Sequence, residues 1–100
     1  MLGINLSIIT PTGKVYENTV RSVVAPGQCG SFGVLKDHAP FMTILASGIL
    51  KVTEQQDKEV FFAVDSGVLE VSSEDHVLIL ADHAWPSANE KEAHNFLKSA

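Results

Sequence analysis

A single cysteine, Cys29, has no partner for an internal disulfide, which fits a reducing compartment. Positive charge is scarce. Lys14, Arg21, Lys36, Lys51, Lys58, Lys91 and Lys98 are scattered along 100 residues against 12 acidic ones, for a net charge of −5. A nucleic-acid or anionic-membrane surface needs clustered cations, so both partners are disfavoured. The longest unbroken apolar runs, residues 60–64 and 77–81, are five residues each. A bilayer span takes about 20, and the N-terminus lacks the basic-then-apolar pattern of a signal peptide, so a soluble chain is expected. Aromatics number only seven, with Trp85 the one tryptophan. That leaves little material for an aromatic peptide- or carbohydrate-binding groove.

What is present suits one small globular domain: 45% apolar and 19% charged residues, enough for a single core. Ile4, Leu6 and Ile8 alternate with Asn5, Ser7 and Ile9, the period-two signature of a strand. Thr10-Pro11-Thr12-Gly13 reads as a tight turn, followed by runs at 14–17 and 20–25. Further short runs lie at 31–35, 41–46, 49–54, 59–65, 68–72 and 76–82, each bounded by Gly, Pro, Ser, Asp or Gln. Turn signals every 6–12 residues predict a sandwich or barrel. Trp85-Pro86-Ser87-Ala88 is expected to break the last strand, and Asn89 to cap a short helix with an apolar stripe of Ala93, Phe96 and Leu97.

Two runs depart from alternation. Phe61 and Ala63 oppose Val60, Phe62 and Val64, while Leu78 and Leu80 oppose Val77, Ile79 and Ala81. Either the sheets cover each other's flanks, or part of an outer face is meant for a partner.

The search for chemistry finds little. Asp37-His38, His76 and Asp82-His83 lack the spacing of a zinc site, no G-x-S-x-G elbow occurs, and Cys29 has no neighbouring cation to activate it. Gly27, Gly30 and Gly33 precede no helix and no G-K-[ST], so they form no phosphate cradle. No catalytic residue, metal or cofactor is expected. A small metal enzyme using His38, His76 and His83 and an unrelated binding module remain as rival readings.

The stretch Ser31-Phe32-Gly33-Val34-Leu35-Lys36-Asp37-His38-Ala39-Pro40-Phe41-Met42-Thr43 resembles the signature of the ATP synthase epsilon-subunit family. Thr10-Pro11 with Gly13-Lys14-Val15-Tyr16, Gly48-Ile49-Leu50, Gly67-Val68-Leu69-Glu70-Val71 and Leu80-Ala81-Asp82 extend the likeness over residues 4–84 in order. The resemblance implies a mainly β fold: a two-sheet antiparallel β-sandwich of about ten strands over residues 1–84, with a linker and helical stub at 85–100. It implies a non-catalytic central-stalk subunit that fixes the gamma subunit to the membrane rotor ring of c subunits, so that ion-driven rotation is coupled to ATP synthesis. Thr10, His38, Ala39, Pro40 and Thr43 match positions that meet gamma, with Phe41 and Met42 as apolar anchors. Gln28, Cys29, Gly30 and Ser31 match the loop that touches the ring. Ser31 stands where the family commonly has an acidic residue, and Cys29 and Lys36 are also unusual, which leaves the loop's contacts open. The likeness fades after Ala84, where many members continue into an inhibitory helical hairpin, so this chain is expected neither to latch the motor nor to bind ATP. The expected location is the cytoplasmic face of a bacterial plasma membrane, or the stromal face of a thylakoid.

Overall fold

The computed structural model describes residues 3–99. Seven strands and one helix follow in order: β1 (Ile4–Thr10), β2 (Gly13–Gly27), β3 (Gly30–Leu35), β4 (Phe41–Leu45), β5 (Gly48–Glu54), β6 (Glu59–Val71), β7 (His76–Ser87) and α1 (Glu90–Ser99). A short 3-10 turn, Gln55–Asp57, links β5 to β6.

The strand count is seven, not the roughly ten that the family resemblance implied. β2 has 15 residues. At ~3.3 Å per residue it would run ~50 Å if straight, yet the molecule's longest dimension is 37 Å. It therefore bends, and so do β6 and β7. The N-terminal half of β2 pairs with β1, and its C-terminal half pairs with β3 and β5. The first half of β6 pairs with β5, its second half with β4, and β7 follows it through both. The pairings thus resolve into two layers that share three strands. The first layer holds β4, the second half of β6, the first half of β7, β1 and the first half of β2. The second holds β3, the second half of β2, β5, the first half of β6 and the end of β7.

Ser66-Gly67 is where the expected turn became a bend within β6. Ser66 takes φ 55 there, and its hydroxyl donates to Asp82 at 3.0 Å. Gly67 approaches β7 so closely that an added Cβ would lie 2.3 Å from the Leu80 carbonyl oxygen. β1 pairs with β7 in parallel, so the sandwich is not wholly antiparallel. β7 runs on to Ser87 through the expected break, because Ala84, Trp85 and Pro86 still lie opposite Val64, Ala63 and Phe62 of β6.

The core lies between the layers. Ile4, Leu6 and Ile8 of β1, with Val77 and Ile79 of β7, face Val23, Leu50, Val52 and Phe62 of the second layer, all buried. Burying each such side chain is worth about 1.5–3 kcal/mol. α1 lies against β5, β6 and β7 on the outside of the second layer. The Asn89 side chain accepts from the Glu92 backbone N–H at 2.8 Å, the N-cap expected from the sequence.

Candidate docking face

The non-alternating runs have different fates. On β6, Phe61 and Ala63 point out of the second layer, where α1 covers them and buries its own Ala93. Trp85 stacks parallel to Phe96 of α1 at 5.9 Å and to His83 at 5.4 Å. This apolar face is capped by the chain's own helix.

The outer face of the first layer has no such cover among the described residues. Side chains directly opposite on neighbouring strands share a face, and the register builds two adjoining rows there. One runs Met42, Glu70, Leu78 and Ser7; the next runs Ile44, Val68, Leu80 and Ile9. Met42 is 64% exposed, Ile44 54% and Leu80 48%, while Val68, Leu78 and Ile9 are half-buried. Large apolar side chains gathered on one face, rather than scattered singly, mark an interaction surface. The outer residues of an antiparallel sheet facing water are normally polar. Lys14 and Glu17 form an ion pair at the far edge, 2.9 Å apart, where Lys14 holds the Glu17 carboxyl below its usual range.

The residues singled out from the sequence distribute around this face. Met42 lies in it. Thr10 borders it, beside a shallow groove lined by Ile9, Pro11, Gly67, Val68 and Leu80. The Thr10 hydroxyl lies 3.1 Å from that of Thr12 and donates to the Gly13 carbonyl at 3.3 Å, fixing the β1–β2 turn. Phe41 and Thr43 have the opposite parity on β4 and are half-buried. Phe41 packs edge-on against Phe32 of β3 at 5.7 Å, closing the open side of the sandwich between its two edge strands. His38 lies against Phe41 with ring centres 4.9 Å apart, and Ala39 and Pro40 are exposed beside it. Asp37, at φ 67, donates its backbone N–H to the Asp75 carboxylate at 2.7 Å, and Lys36 bridges both carboxylates. Those contacts hold the turn before β4 and raise the Lys36 pKa, chiefly through its hydrogen bond to Asp37.

Gln28, Cys29, Gly30 and Ser31 form the exposed β2–β3 turn, with Gly30 at φ 123. This turn lies at the end of the sandwich that also carries Ser47, Asp65, Ser66, Asp82 and His83. There the Ser47 hydroxyl donates to Asp65 at 2.8 Å, and His83 lies 3.6 Å from the same carboxylate. The turn holding His38 lies at the other end, as does His76. Among the described residues, no three His, Cys, Asp or Glu side chains come together to hold a metal.

Sequence reasoning missed Ile9, Ile44, Val68 and Glu70. The Ile8-Ile9 pair did break the alternation of β1, but placing these residues on one surface requires the register of four strands.

Comparison with known proteins gives this face a context. The family model for the β-sandwich domain of the ATP synthase delta/epsilon chain matches residues 3–87. The ATP synthase epsilon chain of Helicobacter acinonychis (strain Sheeba) is 43% identical over 81 residues, covering 81% of this chain and 64% of that relative. The ATP synthase epsilon chain of Campylobacter concisus (strain 13826) is 38% identical over 99 residues, covering 97% and 76%. The chain thus spans less than two thirds of the Helicobacter relative. Among solved structures, a chain of the Euglena gracilis mitochondrial ATP synthase, in an OSCP/F1/c-ring assembly, superposes with a TM-score of 0.82 at 22% identity, over 99% of this chain and 64% of that one. A chain of the Tetrahymena thermophila mitochondrial ATP synthase central stalk and c-ring superposes at 0.71 and 14% identity, over 99% and 92%. These two likenesses are of fold. No helix among the described residues is long and apolar enough to cross a membrane.

Proposed function

The chain belongs to the ATP synthase delta/epsilon chain β-sandwich family, and on that premise we propose that it is a non-catalytic subunit of the synthase's central stalk. Its work is mechanical. The outer face of the first layer docks on the gamma subunit, and the end of the sandwich carrying Gln28, Cys29, Gly30 and Ser31 rests on the polar loops of the membrane rotor ring. A closed two-layer sandwich between them carries torque from the ring to gamma, so that ion-driven rotation reaches the catalytic subunits elsewhere. No ATP-binding or catalytic step is assigned to this domain. The chain works at the membrane surface, on the cytoplasmic side in a bacterium.

The observation that carries the reading is the uncovered apolar face formed by Met42, Ile44, Val68, Leu80 and Ile9, in a chain whose other apolar flank is capped by its own helix. Thr10 borders this face, and Ala39 and Pro40 lead into β4 at its edge. Phe41 and Thr43 act from behind, by setting the position of β4. Ser31 carries no charge, so the ring contact is made by Gln28 and exposed backbone.

Titration calorimetry with the gamma subunit of the same organism tests this. One-to-one binding is expected, weakened at least about 10-fold by Leu80→Asp, which places a charge in the apolar face. A folded chain that does not bind gamma would contradict the reading.

A further inference from the structure

Glu70 stands in the outer of the two rows of the uncovered face, directly between Met42 and Leu78 across its two neighbouring strands and two residues from Val68 along its own. Exposed His76 lies on the same face one row further out. Glu70 is exposed and, among the described residues, has no hydrogen-bond or ion-pair partner. The other strand carboxylates differ. Glu17 pairs with Lys14, Glu54 accepts from Tyr16, Glu59 pairs with Lys51, Asp65 accepts from Ser47 and Asp82 accepts from Ser66. The cation nearest along these rows, Lys14, is already engaged by Glu17 at the far edge.

We infer that Glu70 is a specificity-determining residue of the docking face, and that its partner is a guanidinium presented by an apolar segment of the docked subunit. The inference rests on the docking reading above. Once the face is covered, the Glu70 carboxylate leaves water, and an unpaired buried charge is strongly destabilising. The covering surface must therefore bring a cation to Glu70, at the border between the apolar rows and the row of Asn5 and His76. Arginine meets that need better than lysine: its planar fork binds both carboxylate oxygens, and interface cores are enriched in it while lysine is depleted. A second copy of this chain is a poor occupant, because it repeats the same net charge of −5 and, among the described residues, the one lysine beside this face is already paired with Glu17. Met42, Leu78 and Val68 supply adhesion to many apolar surfaces. Glu70 restricts the choice to one bearing a matching charge, and fixes the register at which it docks.

The test is calorimetry of the full chain with its gamma subunit, comparing the wild type with Glu70→Gln, Glu70→Lys and Leu80→Asp, each checked for an unchanged melting curve. Glu70→Gln is expected to weaken binding at least about 10-fold, and Glu70→Lys further. An arginine in gamma whose change to glutamate weakens wild-type binding should recover with Glu70→Lys. Glu70→Gln binding as well as the wild type, while Leu80→Asp fails, overturns the role of Glu70 and leaves the docking reading standing. No binding by the wild type overturns both. A dimer of the chain alone that Leu80→Asp breaks apart would also overturn the inference.

Discussion

Tyr16 is the side chain whose chemistry the fold alters most clearly. Its ring packs edge-on against Phe62 at 5.2 Å, and its hydroxyl donates to the Glu54 carboxylate while accepting from the Asn18 amide. Burial first, and then the hydrogen bond to Glu54, pushes its pKa up from 10.0 to about 12. The folded chain holds this proton more tightly than the unfolded one. Its stabilising contribution is therefore complete below pH 10 and is lost as pH rises towards 12. Tyr16 is the only tyrosine, so the phenolate absorbance band reads it directly. The midpoint should lie near 12 in the native chain and return to about 10 in denaturant. Equal midpoints in the two states would refute the burial argument. Tyr16→Phe should flatten the alkaline fall in melting temperature.

At the scale of elements, α1 is the piece most dependent on its docking, since ten helical residues alone are marginal in water. Trp85, stacked between His83 and Phe96, is the one tryptophan, so its fluorescence reports whether the helix is seated. Asn89→Ala should cost about 1 kcal/mol through the lost cap. Its Trp85 emission should shift to the red, and unchanged emission and stability would show that the cap is dispensable. This cap was legible in the sequence because its whole mechanism lies within four residues, and the Thr10–Gly13 turn was legible for the same reason. The Ser66-Gly67 bend was not, because the residues that make a hairpin turn also make a bend. Which of the two forms is decided by Leu80 and Ala81 of β7, distant in sequence. The parallel pairing of β1 with β7 depends likewise on partners about seventy residues apart. Non-alternation at 60–64 and 77–81 did announce two-sided strands. That α1 would cover the first and leave the second open required the assembled sheet.

For the whole molecule, shared strands make the two layers one mechanical body, because β2, β6 and β7 each belong to both. The bends that allow this are sites of close approach, and Gly67 is the tightest of the glycines. Gly67→Ala should destabilise the chain by about 1–3 kcal/mol by forcing β6 away from the Leu80 carbonyl. Chemical denaturation measures it, and a neutral result would mean the bend yields easily. A single body with a covered flank and an open flank has a polarity: α1 on one side, the Met42–Leu80 face on the other, and the Gln28 to Ser31 turn at one end.

Hydrogen–deuterium exchange of the full chain, alone and saturated with its gamma subunit, tests that polarity most directly. Docking through the first layer predicts slowed exchange in β4 and in the first half of β7, with α1 and β5 unchanged. Protection confined to α1, β3 and β5 would contradict it, and would move the partner to the opposite flank.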